Sequence, residues 1–279
     1  MASRKKKKKG MTAAVLAGIA VLAVIFYLAG GTKEYRSSGK NQQEIQLNVA
    51  RLYEMQNAEP VDLDEAAKKR RKALLEEKGG ILIDDMAAEE DKIMALTDVT
   101  NAELLKRFRN AVIVGDSIPE DAPGYGWLNT EVVHAKIGIR INADSEVINS
   151  AIAANPSVMF LVFGVNDIET YVEQANVFVD RYRAAIEKIQ AALPDTVIYA
   201  HAIFPPRSLE GKSFYQYLDK YNEGLQALCE ETGAYYIDSS FILKREPGYY
   251  NNDGVHMIKS FYPLWFTYLA DCAGLEYDE

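Results

Sequence analysis

From Thr100 onward the chain alternates short apolar runs with stretches of helical periodicity, and this alternation is what most constrains its fold. The run 158–163 is apolar throughout, as expected for a parallel strand that is buried on both faces. Further strands are predicted at 111–114, 132–137, 197–203 and 235–237, with helices between them. Because strands that alternate with helices favour a doubly wound parallel sheet, the predicted fold class is α/β with a mainly parallel five-stranded sheet.

Four short motifs lie at the ends of predicted strands or in loops. They are Gly115-Asp116-Ser117, the isolated Gly138, Gly164-Val165-Asn166-Asp167 and Asp253-Gly254-Val255-His256. In doubly wound sheets, ligands bind beyond the carboxyl ends of the strands. We therefore expect the four motifs to meet at that edge of the sheet.

These motifs contain the residue types that acyl transfer through a serine ester requires. Ser117 is the predicted nucleophile and His256 the predicted base, because a serine hydroxyl needs a neutral imidazole to accept its proton. Asp253 lies three residues before His256, close enough for one tight turn to bring its carboxylate to the Nδ1 hydrogen. The backbone N–H groups of Ser117 and Gly138 and the side-chain amide of Asn166 are the predicted oxyanion-hole donors.

Other polar residues near the motifs have structural interpretations. Asp116 and Asp167 are predicted to stabilise their loops rather than to react. His134 and His201 lie inside predicted strands, which is typical of core or sheet-face histidines. Of the three histidines, only His256 lies in a predicted loop with an acidic residue three positions before it.

At these residues the sequence resembles the SGNH (GDSL-like) hydrolase superfamily, whose four namesake residues would be Ser117, Gly138, Asn166 and His256. The resemblance covers roughly residues 100–275. It implies a three-layer α/β/α, flavodoxin-like domain, and esterase or acyltransferase chemistry that uses no metal or other cofactor. Ile118 replaces the leucine of the GDSL signature, and no G-x-S-x-G elbow of the α/β-hydrolase fold is present.

The N-terminal part of the chain predicts a membrane anchor. Residues 11–31 contain no charged side chain, and a helix of roughly 20 residues can cross a hydrocarbon core of about 30 Å. The basic run 4–9 before it predicts a cytoplasmic N-terminus and an extracytoplasmic catalytic domain, so that the protein would be a single-pass protein of the cell membrane. A cleaved signal peptide is the alternative, although Tyr27-Leu28-Ala29 makes a poor cleavage site.

The chain is accordingly divided into four regions. These are a cytoplasmic basic tail (1–10), a transmembrane signal-anchor helix (11–31), a helical stalk or linker (32–100) and the catalytic domain (101–279). The formal net charge is −9, and the remainder is more acidic once the basic tail is set aside, which argues against nucleic acid as a partner. Cys229 and Cys272 lie in predicted helices and are expected to be two buried thiols.

The substrate is the least constrained part of the prediction. Trp127, Tyr171 and Tyr250 are candidate substrate-binding residues, because aromatic rings beside a hydrolytic cleft can stack on sugar faces, although they can equally be packing residues. An outward-facing, tethered domain favours an O-acylated, especially O-acetylated, cell-surface glycan or another small ester. The alternatives are a polysaccharide O-acetyltransferase that uses the same residues together with a membrane acyltransferase partner, and a non-catalytic surface-binding protein.

Overall fold

The structure is a computed structural model that describes residues 86–275, and its centre is a sheet of five parallel strands. The strands are β1 (Ala111–Gly115), β2 (Val133–Ala135), β3 (Val158–Val162), β4 (Val197–His201) and β5 (Tyr235–Ile237). Their order across the sheet is β2-β1-β3-β4-β5, and every neighbouring pair is parallel. The predicted five-stranded parallel sheet is therefore confirmed.

Helices cover both faces of this sheet. They are α1 (Met86–Met94), α2 (Asn101–Arg107), α3 (Ser117–Gly124), α4 (Glu146–Ala153), α5 (Val165–Tyr171), α6 (Ala175–Ala192), α7 (Leu218–Thr232), α8 (Phe241–Arg245) and α9 (Phe261–Cys272). Successive residues of β1 point to opposite faces, so that Ile113 packs in the core with α9 whereas Val112 packs in the core with α6. The result is three layers, with helices on either side of the sheet.

Local sequence signals explain several helix ends. Thr100 and Glu103 form the predicted capping box at the start of α2, in which each side chain accepts a hydrogen bond from the other residue's backbone N–H. The helix that the sequence predicts over 172–193 is observed as α6, which begins at Ala175, and a separate short helix, α5, ends just before it at Tyr171. Val172 interrupts them with a φ of +50°, a left-handed conformation that a continuous right-handed helix does not allow.

Helix α1 lies within the region that the sequence assigns to the stalk, yet it packs on the catalytic domain. Ile93 is fully buried in the same core as α9, and Arg245 of α8 pairs with Glu90 and Asp91. The segment 86–100 is therefore structurally part of the domain, because Ile93 is buried in the core and Met94, Leu96 and Val99 pack against it.

The remaining predictions for the N-terminal regions fall on residues that the structure does not describe. These are the basic tail 1–10, the membrane segment 11–31 and the stalk residues 32–85. Within residues 86–275, no helix combines the length and the apolar character that are needed to cross a bilayer. Cys229 and Cys272 are two buried thiols, as predicted.

Candidate active site

Strand β1 delivers Ser117 to the edge of the sheet. A side chain at Gly115, the last residue of β1, would place its Cβ 2.3 Å from the Val162 carbonyl oxygen, so only glycine allows this close approach of β1 to β3. Asp116 then caps α3 by accepting a hydrogen bond from the Ile118 N–H at 3.2 Å. Ser117 is the first residue of that helix and is only 6% exposed.

The structure brings Ser117, His256 and Asp253 together in one hydrogen-bonded chain. The Ser117 Oγ lies 2.9 Å from His256 Nε2, although the two residues are 139 positions apart. The Nδ1 atom of the same imidazole lies 2.7 Å from Asp253 Oδ2. This geometry is that of a nucleophile, its base and the carboxylate that orients the base.

Asp253 also shapes the turn on which it lies. Its Oδ1 accepts hydrogen bonds from the N–H groups of Val255 at 2.8 Å and His256 at 2.9 Å. Burial acts to raise the pKa of Asp253, but these two N–H groups and the imidazole outweigh it, and the pKa lies below its usual value. The carboxylate is therefore held in its ionised form beside the imidazole.

The loop after β4 braces this turn, a role that the sequence did not predict. The Arg207 N–H donates to the Gly254 carbonyl at 2.8 Å, and the Tyr250 hydroxyl donates to the Pro205 carbonyl at 2.5 Å. Gly254 adopts a φ of +66°, which favours glycine at the tip of the turn. One contact joins two backbone groups and the other joins a side-chain hydroxyl to a backbone carbonyl, and both link segments that are distant in the chain, so no local residue pattern predicts them.

The three predicted oxyanion-hole residues follow β1, β2 and β3: Ser117 and Asn166 lie in the first turns of α3 and α5, and Gly138 lies in the loop after β2. Gly138 follows β2 with a φ of +75°, and the neighbouring Ile139 carbonyl accepts a hydrogen bond from Asn166 Nδ2 at 3.0 Å. The amide of Asn166 therefore lies against the loop that holds Gly138. Within residues 86–275, the second amide hydrogen of Asn166 has no acceptor.

Asp116 and Asp167 stabilise the loops, as predicted. Asp116 Oδ2 accepts hydrogen bonds from the Gly164 N–H at 3.1 Å and the Val165 N–H at 3.2 Å, which ties the end of β1 to the end of β3. Asp167 Oδ2 accepts from the Ile141 N–H at 3.1 Å. Burial raises the pKa of Asp116 to about 6 and that of Asp167 to about 7, although the N–H donors oppose this effect.

The other two histidines lie outside the hydrogen-bonded chain, as predicted. His134 in β2 contacts the Ser150 hydroxyl at 2.9 Å. His201 in β4 is fully buried and lies 2.5 Å from the Ser239 hydroxyl, and burial lowers its pKa to about 4. Both rings are therefore satisfied by structural contacts.

The three aromatic candidates for substrate binding have different surroundings. Trp127 is half-buried and its Nε1–H donates to the Lys259 carbonyl at 3.1 Å. The guanidinium of Arg181 lies over the ring of Tyr171, and its central carbon is 5.5 Å from the centre of that ring. Tyr250 is buried: its ring packs in the core and its hydroxyl donates to the Pro205 carbonyl, so the packing alternative accounts for its contacts.

Asp121 is a site residue that the sequence reasoning missed. It lies one helical turn after Ser117 on α3 and is half-buried. Burial raises the pKa of Asp121, while the charge of His256 acts to lower it and that of Asp253 to raise it. The spacing of four residues would have revealed Asp121, had a helix been predicted to begin at the serine.

Comparison with known families agrees with this geometry. The model of the GDSL-like lipase/acylhydrolase family matches residues 113–260, which is more than half of the chain and includes Ser117, Asn166 and His256. The chain belongs to the GDSL-like lipase/acylhydrolase family. This GDSL-like protein is accordingly a serine hydrolase that acts on ester bonds.

Solved structures that are similar to this GDSL-like hydrolase share little sequence with it. A Streptococcus pneumonia protein solved as a platelet activating factor is 21% identical, with 67% of this chain and 93% of that chain covered and a TM-score of 0.48. A GDSL-like lipase from Parabacteroides merdae is 19% identical, with 60% and 95% covered and a TM-score of 0.49. The esterase EstA from Pseudoalteromonas sp. is 17% identical, with 58% and 96% covered and a TM-score of 0.44. No curated protein is significantly similar to the chain.

Proposed function

We propose that this GDSL-like hydrolase is a serine esterase that removes O-acyl groups, in the first place O-acetyl groups, from a cell-surface glycan. The observation that supports ester cleavage most directly is the chain of contacts from Ser117 Oγ to His256 Nε2 and from His256 Nδ1 to Asp253. It couples a nucleophile to a base whose orientation and tautomer a carboxylate determines.

In the first half of the proposed reaction, His256 Nε2 accepts the proton of the Ser117 hydroxyl while the oxygen attacks the ester carbonyl carbon. Asp253 stabilises the imidazolium that results, because its carboxylate already accepts the Nδ1 hydrogen. The negative oxygen of the tetrahedral intermediate would be stabilised by the N–H groups of Ser117 and Gly138 and by the second amide hydrogen of Asn166. Each such donor typically contributes roughly 3–4 kcal/mol to transition-state stabilisation.

In the second half, the intermediate collapses and the bond to the alcohol breaks. His256 gives its proton to the leaving alkoxide, and the acyl group remains on Ser117 as an ester. A water molecule then loses a proton to His256 and attacks this acyl-enzyme. The bond between the acyl carbon and the Ser117 oxygen breaks, His256 returns the proton to that oxygen, and the carboxylic acid leaves. If a sugar hydroxyl took the place of that water, the same residues would catalyse acyl transfer.

The location of the substrate is part of the same proposal. It is supported by the uncharged segment 11–31 and by the basic run before it, which together favour an outward-facing domain on a membrane anchor. An esterase in that position meets acylated polymers of the cell surface. A membrane acyltransferase would be the natural partner only if transfer, rather than hydrolysis, is the main reaction.

The test is hydrolysis of 4-nitrophenyl acetate and of an O-acetylated glycan by the full-length protein. Ser117→Ala and His256→Gln should each lower kcat by at least about 1,000-fold, because each removes a member of the catalytic chain. His134→Gln is the matched control, since that imidazole contacts Ser150 rather than Ser117, and it should retain activity. Equal rates for Ser117→Ala and the unmodified protein would refute the proposal, and acetylated acceptor in excess of free acetate would show transfer.

A further inference from the structure

A groove of about 530 Å³ lies beside the loop that contains His256. Its walls are formed by residues from 96–99, by Trp127 just after α3, and by residues from 258–264. The last of these segments begins two residues after His256. The hydrogen bond from Trp127 Nε1 to the Lys259 carbonyl joins two of the walls, so the groove is built onto the catalytic loop.

The lining of the groove combines aromatic rings with a few polar groups. Trp127 and Tyr249 provide the rings, while Thr97, Lys259 and Ser260 provide hydroxyl groups and an ammonium group. Ligand sites in proteins commonly have this composition, in which apolar surface supplies contact area and a few polar groups fix orientation. Sugar rings match it, because they present apolar C–H faces to aromatic rings and hydroxyl groups to polar side chains.

One face of α3 connects Ser117 with the region of the groove. Asp121 and Tyr125 follow Ser117 at intervals of four residues and so lie along the same side of the helix. The Tyr125 ring packs on Tyr262 with centres 5.6 Å apart, next to Pro263 in the groove wall. Residues on this face would contact a ligand that extends from the serine towards Trp127.

The surroundings of Asp121 favour a ligand with hydroxyl groups. Its side chain is half-buried, and no hydrogen bond or ion pair from any residue between 86 and 275 engages it. A carboxylate that is partly withdrawn from water is stabilised when a ligand supplies hydrogen-bond donors. The hydroxyl groups of a sugar next to the ester would supply them.

The charge of the protein indicates which glycan fits. The chain has a formal net charge of −9, and Asp121 and Asp253 both lie close to His256. Next to the ester these two carboxylates, which outnumber the single ammonium group of Lys259 in the groove lining, would repel an acidic sugar but not a neutral one. We propose that the groove and the Asp121–Tyr125 face of α3 form a subsite for the sugar residues that flank the ester in a neutral O-acetylated glycan. This inference rests on the proposed esterase function.

The test compares two substrates, 4-nitrophenyl acetate and O-acetylated xylo- or manno-oligosaccharides of one to five sugars, with the full-length protein. Thr97→Trp fills the groove from an exposed position outside the catalytic loop. The readout is kcat/KM for an acetylated sugar divided by kcat/KM for 4-nitrophenyl acetate. For the pentasaccharide we expect Thr97→Trp to lower this ratio about tenfold through a higher KM. For the monosaccharide we expect little change in the ratio. Asp121→Asn should lower the same ratio, and Ala191→Trp, on the opposite face of the sheet, should leave it unchanged.

Several outcomes would overturn the inference while leaving the esterase function intact. One is an unchanged ratio in Thr97→Trp and Asp121→Asn. A second is a Thr97→Trp defect that appears with 4-nitrophenyl octanoate instead, which would assign the groove to an acyl chain. A third is a preference, at matched ionic strength, for acetylated oligogalacturonides over the neutral oligosaccharides. If the unmodified protein hydrolysed 4-nitrophenyl acetate no faster than Ser117→Ala, the proposed function itself would be refuted.

Discussion

At the residue scale, Asp253 combines a catalytic and a structural task, and a different oxygen performs each. Oδ2 accepts the imidazole Nδ1–H of His256, whereas Oδ1 accepts the backbone N–H groups of Val255 and His256. The first contact determines the tautomer of the base, and the second holds the turn that presents it. Because the two tasks use separate atoms, substitutions can separate them.

Asp253→Asn should therefore lose activity while keeping its fold. The remaining oxygen can still accept the two backbone N–H groups, but the amide presents a donor to Nδ1 and disfavours the productive tautomer, so kcat should fall roughly 100- to 10,000-fold. Asp253→Ala should lose similar activity and also lower the melting temperature, because the turn loses its acceptor. Activity and thermal melts of both variants check this, and a fully active Asn variant would contradict the assignment of Asp253.

Sequence reasoning identified Ser117, Asp253 and His256 because their chemistry and spacing leave few alternatives, but it left Tyr250 open between substrate binding and packing. An aromatic residue next to a catalytic loop has the same sequence signature whether its ring is exposed or buried. Only the packing of Tyr250 in the core and its bond to the Pro205 carbonyl distinguish the two cases. Asp121 was missed for the related reason that α3 was not predicted.

At the scale of elements, helix α1 shows why a domain boundary is difficult to place from sequence. Its middle, from Glu89 to Lys92, consists of four consecutive charged residues, and this composition resembles that of the stalk before it. Ile93 nevertheless inserts into the core with α9, and Arg245 reaches it from α8. Among the described side chains of the helix, only Ile93 is fully buried and Met94 packs beside it, and so short an apolar pattern is too weak to predict the attachment.

Ile93→Ala should consequently destabilise the domain. The side chain is fully buried, and removal of a buried isoleucine typically costs 2–5 kcal/mol through lost apolar contact and a residual cavity, about the range we expect here. Arg245→Ala should have a much smaller effect, because its ion pairs with Glu90 and Asp91 lie at the surface. Denaturant titrations of the full-length variants measure both changes. If Ile93→Ala were as stable as the unmodified protein, α1 would contribute nothing to the core.

At the scale of the whole molecule, buried ionisable groups make stability depend on pH. Burial raises the pKa of Asp167 to about 7, helped by the nearby Asp116 and opposed by the Ile141 N–H. Between the usual carboxyl pKa and about pH 7, Asp167 is therefore protonated in the folded protein but ionised in the unfolded chain. This contribution to stability is complete at acidic pH and is lost as the pH rises through about 7. His201 acts in the opposite direction, since burial lowers its pKa to about 4.

Asp167→Asn removes the first of these effects. As the pH rises from 4 to 8, the free energy of unfolding of the unmodified protein should fall relative to that of the variant, by at most about 4 kcal/mol at 1.36 kcal/mol per pKa unit. The comparison cancels His201, which both proteins share. Denaturant titrations at several pH values measure it, with the exposed Asp219→Asn as control. Parallel curves for Asp167→Asn and the unmodified protein would contradict the buried-proton account.

The predicted membrane anchor also belongs to this scale. Full-length protein expressed in a bacterium should remain in the membrane fraction after carbonate extraction, whereas deletion of residues 2–31 should release it, because the uncharged segment 11–31 would be gone. Immunoblots of the two fractions provide the measurement. Release of an uncleaved full-length chain would refute the anchor, and release of a shortened chain would support a cleaved signal peptide.

The sequence by itself determined the α/β class, the strand positions and the identity of the nucleophile, base and carboxylate. These follow from local information: apolar runs, turn-forming residues and the few side chains that can perform the chemistry. Tertiary structure decided the bracing of the His256 turn by the loop after β4, the attachment of α1, the burial of Tyr250 and the groove beside Trp127. Each of these depends on contacts between segments that are distant in the chain, and the free energy of such contacts leaves no local pattern in the sequence.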